Sequence, residues 1–177
     1  MAGGLLEDRA ELETLFDELN RELIALGTAA HVVMVGGAWM LWHSRRLSTR
    51  DIDSARKLPS GVAESVKAIA ERHDLSEQWL NDSAAAFWPT TAPYDDCEIV
   101  YQQPALEVRV PDPEVIFVMK LYRADPQDRE DLVSLWPLCD FTDPEAAARA
   151  FQDAYPHSPE DEFLPDYIAQ VAREAAH

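Results

Sequence analysis

The stretch VGGAWMLWHSRRLSTRDID, residues 35–53, decides how this chain folds and where its chemistry sits. The residues that lead into it, His31-Val32-Val33-Met34-Val35, form a short run rich in β-branched side chains, which predicts a buried strand ending at a turn. Gly36 and Gly37 then let the backbone bend sharply and bring its amides close to a phosphate, because no side chain blocks the approach. Ala38 to Arg46 reads as helical. Thirteen residues separate Gly37 from Asp51, and Asp51 and Asp53 flank Ile52 in RDIDSARK, residues 50–57. On a strand, that spacing sends both carboxylates to one face and the isoleucine to the other. Two hard oxygen ligands on one side suit Mg²⁺, an ion that keeps several waters and bridges to substrate phosphates. A glycine pair or an Asp-Ile-Asp triplet alone is common on plain turns and solvated strands; their order and spacing together point to a site.

Working outward, Leu5, Leu12, Leu15, Phe16, Leu19, Leu23 and Leu26 recur at three- and four-residue steps and predict an amphipathic helix over 5–26, stopped by Gly27. Beyond the aspartates, Val62, Val66, Ile69 and Ala70 predict a helix over 60–73 after Pro59. Residues 81–96 are rich in small and turn-forming residues and read as a loop. CEIVYQ (97–102) and ALEVRV (105–110) alternate like paired strands. Asp112-Pro113 opens a largely apolar helix containing Lys120, and Thr142-Asp143-Pro144-Glu145 opens another, with threonine and glutamate spaced to cap reciprocally. Helices after 126, 143 and 159 close the chain. The fold class is therefore α/β of the α+β kind, a mixed twisted sheet flanked by helices with a helical C-terminal part. At 177 residues it reads as a single domain, its core at about 28–135 and its last helices at about 136–177.

Bulk properties narrow the function. The first residues carry Glu7, Asp8, Glu11 and Glu13 where a signal peptide has a basic start and an apolar run. No stretch approaches the roughly 18 apolar residues of a membrane span. Cys97 and Cys139 lie far apart with no CxxC pair, which fits a reducing, cytoplasmic home and two ordinary thiols. With 15 basic and 33 acidic residues the net charge is −18, a field that repels nucleic acid and anionic membrane alike. Yet Arg45, Arg46, Arg50, Arg56 and Lys57 fall within one thirteen-residue window, a basic patch suited to a triphosphate or an RNA phosphate.

The glycine pair followed by two strand acids resembles the signature of the DNA polymerase beta-like nucleotidyltransferase superfamily. RRLSTRDID with its Arg46, Thr49, Asp51 and Asp53, then WLND at 79–82, then DPEVIFVMKLYRADPQDREDL at 112–132, resemble a bacterial family of nucleotidyltransferase-like proteins related to abortive-infection toxins, over about 31–170. The resemblance implies the nucleotidyltransferase fold and transfer of a nucleotide from a triphosphate, in some members onto RNA, and in some as one half of a toxin–antitoxin pair. It also implies that a helix lysine and a downstream aspartate help the site, matching Lys120 and Asp128 or Asp131. Superfamily catalysts offer a third acid on a later strand, for which Glu107 is the candidate here. Where many members have a serine after the first glycine this chain has Gly37, so Ser48 or Thr49 is left to supply a hydroxyl.

The expected reaction is metal-assisted nucleotidyl transfer, with an NTP as substrate and one or two Mg²⁺ held by Asp51, Asp53 and Glu107. Gly36, Gly37, Arg46, Ser48 and Thr49 would shape the phosphate cradle, with Lys120, Asp128 and Asp131 in support. The acceptor is a hydroxyl on RNA, protein or a small molecule; a cognate toxin or antitoxin is a further expected partner, and a membrane is not. The competing reading is a non-catalytic binding module or antitoxin with the same fold. Lys120, set among Ile116, Phe117, Met119 and Leu121, must snorkel or meet an anion, and Asp128 and Asp131 share a helix face that can supply one. Trp39 and Trp42 read as core, Trp79 and Trp88 flank the loop as candidate nucleobase contacts, and His31, His43 and His73 lack metal-ligand spacing.

Overall fold

The computed structural model describes residues 3–177. In chain order the elements are α1 (Arg9–Leu26), β1 (Ala30–Val35), α2 (Gly36–Trp42), β2 (Ile52–Ser54), α3 (Val62–His73), β3 (Leu80–Asn81), β4 (Glu98–Gln103) and β5 (Leu106–Val110). Four helices follow: α4 (Pro113–Arg123), α5 (Arg129–Leu135), α6 (Pro144–Ala154) and α7 (Leu164–Ala175). The sheet is mixed and runs β3-β2-β1-β5-β4. Strand β1 pairs parallel with β5 and antiparallel with β2, which in turn pairs parallel with β3, while β4 and β5 form an antiparallel pair. This is the mixed sheet with flanking helices that the sequence predicts, with the short β3 added.

Two compact units compose the chain. The first holds the described residues up to Phe87 together with Cys97–Pro111; the second holds Trp88–Asp96 and Asp112–His177. In the first unit β1 is central, and Val32 to Val35 are all buried, so both faces of this strand are covered, as expected where parallel pairing brings helices against a sheet. Helix α1 buries Leu12, Leu15, Phe16, Leu19 and Leu23 along one stripe, and packs beside α3 and against β4 and β5. The indole of Trp39, fully buried in α2, donates to the Pro111 carbonyl at 2.8 Å. In the second unit Phe117 is the buried centre, with Trp136 and Phe141 against its ring, and Tyr122 stacks on Tyr155 at 4.1 Å.

Local chemistry explains where boundaries differ from the sequence reading. Helix α1 begins at Arg9, not near Leu5, because Asp8 takes the N-cap by accepting from the Glu11 amide at 2.9 Å. Leu6 is drawn away into a two-way backbone bridge with Thr49, at 2.8 and 2.9 Å. Asp143 rather than Thr142 caps α6, accepting from the Ala146 amide at 2.7 Å. Asp112 stands at the N-cap of α4 with Pro113 in the first turn, but its side chain makes no capping bond. The region read as a plain loop contains β3 and two short 3-10 turns, Ser83–Phe87 and Tyr94–Asp96. Helix α2 stops at Trp42, with Ser44 in the left-handed region at φ 56°.

No helix among the described residues is long and apolar enough to cross a membrane. Neither cysteine is in a disulfide; Cys97 is buried, and burial pushes the half-buried Cys139 thiol well above its ordinary value.

Gly27 closes α1 at φ 65°, and nothing lies within 4 Å of the position a Cβ would take. Gly27→Ala therefore meets no clash and carries only the left-handed penalty, about 1–2 kcal/mol in urea denaturation, with Gly27→Asn costing less.

Candidate active site

The site starts from strand register. Met34 pairs with Ser54 and Val35 with Asp53, so Asp53 projects from the same side as Val35, one residue before the glycine turn. Ile52 is fully buried on the other side and its amide donates to the Trp79 carbonyl at 2.6 Å. Asp51, two residues before Asp53, lies just ahead of the strand. Both aspartates are half-buried and both line one cavity of about 570 Å³. Leu58, Pro59 and Ser60, the first two turns of α3, Glu77, Gln78 and Leu80 to Ser83 complete the lining. The volume falls in the ordinary range for small-molecule sites, roughly 300–1,000 Å³.

The cavity is acidic. Asp51, Asp53, Glu77 and Asp82 line it, and no lysine or arginine does so among the described residues. Asp82 accepts from the Leu58 amide at 2.9 Å and from Lys57 Nζ at 3.1 Å, and the backbone donor, with the ammonium, holds its carboxyl below the usual carboxylate value. An anionic ligand therefore meets net repulsion in the cavity unless a cation screens the carboxylates.

The glycine pair stands on the other flank of Asp53. Gly36 adopts φ 64°, a conformation that L side chains rarely take, and a Cβ there would sit 3.1 Å from Asp53 Oδ2. At Gly37 a Cβ would lie 2.6 Å from Thr49 Oγ1 and 2.7 Å from Arg46 Nη1. The two glycines thus admit three polar groups, a carboxylate, a hydroxyl and a guanidinium, against the backbone at the start of α2. Thr49 is buried, pinned by its bridge to Leu6 and by donation from its hydroxyl to the Asp51 carbonyl at 3.1 Å. Ser48 is half-buried on the same connection, and Arg45 and Arg50 are exposed there.

Two carboxylates beside a vacant Cβ position fit magnesium in its usual mode, held by one or two acids and completed by water and substrate phosphate. A cage made wholly from protein does not form: among the described residues no three His, Cys, Asp or Glu side chains gather as a metal site. Glu107 pairs in register with His31, four positions along β1 from the residue that Asp53 faces, on the order of 13 Å along the strand. Its carboxylate is engaged by Arg109 Nε at 2.7 Å, which holds it below its ordinary pKa, and by His31 and Gln102 at 3.3 Å each. The structure does not bring it to the aspartate pair.

Lys120, Asp128 and Asp131 gather in the second unit. Lys120 Nζ donates to Asp128 Oδ1 at 2.8 Å and to Asp131 Oδ2 at 2.7 Å, and all three side chains are more than nine-tenths buried. The lysine meets an anion rather than snorkelling. Trp79 is fully buried, with its indole donating to the Val66 carbonyl at 2.8 Å, and Trp88 stacks on Tyr94; Trp39 and Trp42 are core, as expected. Sequence reasoning gave no task to Asn81 and Asp82, although WLND was visible as a motif. Their role depends on β3, a two-residue strand too short to leave a periodic signal.

A family model described as "Nucleotidyltransferase of unknown function (DUF6036)" matches residues 10–155. No curated protein and no solved structure matches the chain.

Two substitutions probe this geometry. Gly37→Ala forces its new methyl against Thr49 and Arg46 and is expected to lower stability by about 1–3 kcal/mol in chemical denaturation. Lys120→Met removes the buried ammonium that donates to both Asp128 and Asp131, an expected loss of about 3–5 kcal/mol by the same measurement.

Proposed function

Since the chain belongs to this nucleotidyltransferase family, we propose that it moves an NMP group from an NTP to an acceptor hydroxyl at the Asp51–Asp53 cavity. The observation that carries the proposal is the placement of both carboxylates on one cavity, with Asp53 Oδ2 occupying the space beside Gly36 that a side chain there would crowd. On this reading Asp51 and Asp53 hold magnesium. When bound there, the ion supplies Lewis-acid polarisation of the phosphate and charge neutralisation within an otherwise repulsive cavity.

The rest of the work falls to the chain. Gly36 and Gly37 give the phosphates access to backbone amides, and Arg46, resting against Gly37, offers a planar set of donors that matches phosphate oxygens. Thr49 fixes the connection that carries Arg46, and Ser48 lies on it as a further hydroxyl. The acceptor oxygen forms a bond to the α-phosphorus while the bond from that phosphorus to the bridging oxygen breaks; pyrophosphate leaves and the hydroxyl proton passes to water. Lys120, Asp128 and Asp131 act on this reading as the internal brace of the second unit, and Glu107 as part of a half-buried ion pair with Arg109. The resemblance to abortive-infection toxins supports a bacterial setting in phage defence or a toxin–antitoxin pair, with RNA among the acceptors to be tried.

Incubating the protein with each labelled triphosphate, Mg²⁺ and either total RNA or cell extract is expected to show transfer of label. Asp51→Asn and Asp53→Asn are each expected to lower it by roughly a hundredfold or more with the circular dichroism spectrum unchanged. Transfer that survives in either purified variant, or in excess chelator, would remove the aspartates from the mechanism. Magnesium-dependent binding without any transfer would point to a binding module instead.

A further inference from the structure

Trp79-Leu80-Asn81-Asp82 takes no part in the proposed transfer, yet Leu80, Asn81 and Asp82 line the same cavity. Trp79 ties β3 to α3 through its indole, which donates to the Val66 carbonyl, and Val66 itself lines the cavity. Leu80 pairs with Ile52 and Asn81 with Asp53, so the tetrapeptide is fixed in register to the proposed catalytic strand. Asn81 Oδ1 accepts from the Ser83 amide at 3.0 Å and starts the 3-10 turn that follows. Asp82 reaches across to the connection between β2 and α3, where its carboxylate receives the Leu58 amide and Lys57 Nζ. Leu58, Pro59 and Ser60 on that connection line the cavity together with Asp51 and Asp53.

We propose that Asp82 is a positioning residue that holds the Leu58–Ser60 wall to β3 and thereby sets the width of the cavity for the nucleotide. The inference rests on the nucleotidyl-transfer reading of the same site. A carboxylate suits the task because it receives two donors at once, and an ionised acceptor makes the stronger bond to a backbone amide. Lys57 adds little, since its side chain is 74% exposed and its ion pair is screened by water. The Leu58 bond is the one that matters. An asparagine keeps an acceptor for it, and an alanine does not.

Binding of each of the four magnesium ribonucleoside triphosphates by equilibrium dialysis, with hydrogen exchange of the same proteins, tests the proposal. For the best-bound triphosphate, Asp82→Ala is expected to weaken affinity roughly tenfold, while Asp82→Asn stays within about threefold of wild type. Exchange should quicken in the 57–60 peptide of Asp82→Ala and stay unchanged in peptides from α1 and β1. Wild-type affinity in Asp82→Ala, or faster exchange spread over the whole first unit, would overturn the positioning role. Should wild-type protein bind no triphosphate, the transfer reading falls, and unchanged exchange at 57–60 in Asp82→Ala would independently overturn the hold on the wall.

Discussion

The antiparallel register between β1 and β2 is the constraint on which the rest depends. Pairing Val35 with Asp53 puts an acid beside the glycine turn, and pairing Met34 with Ser54 sends Ile52 into the core. A slip of one residue would reverse every side chain on the strand, exposing Ile52 and burying both aspartates among apolar groups. The hydrophobic core therefore enforces the direction of the carboxylates. Three ordered residues suffice for β2 because carbonyls on both sides receive its amides, Val33 accepting from Ala55 at one edge and Trp79 accepting from Ile52 at the other.

Charge is distributed unevenly around this strand. The cavity side carries four carboxylates, and the glycine side carries Arg46 pressed against the backbone. Asp53 touches both. Under the proposed function a triphosphate would enter with its phosphates toward the glycine side, since the cavity alone repels it until its acids are screened. Under the same proposal the asymmetry would let a chain with 33 acidic residues receive an anion, because the compensation is local, beside the backbone turn.

Much of this was legible in the sequence, for reasons that differ by element. Strand β1 and helices α1 and α3 announced themselves because their apolar residues repeat at the period of the structure they form. The Asp-Ile-Asp face was legible because alternation on an extended segment is a covalent property. What the sequence hid depends on partners distant along the chain: Leu6 leaving α1 to meet Thr49, Asn81 finding Asp53, Asp82 reaching Leu58. Glu107 shows the limit most clearly. Alternation placed it on the correct face of β5, yet only the β1–β5 register reveals how far along that face it stands from Asp53. Trp79 is similar, since flanking a loop in sequence did not foretell its complete burial.

The two thiols have a practical corollary. Cys97 is buried out of reach of an alkylating dye, and Cys139 is held in its neutral form by burial, so neither reacts readily at neutral pH. Leu47, by contrast, is 91% exposed on the connection between the glycine turn and the aspartates. A single reporter cysteine introduced there would carry a fluorophore or spin label selectively in the native chain, with neither natural thiol needing removal first.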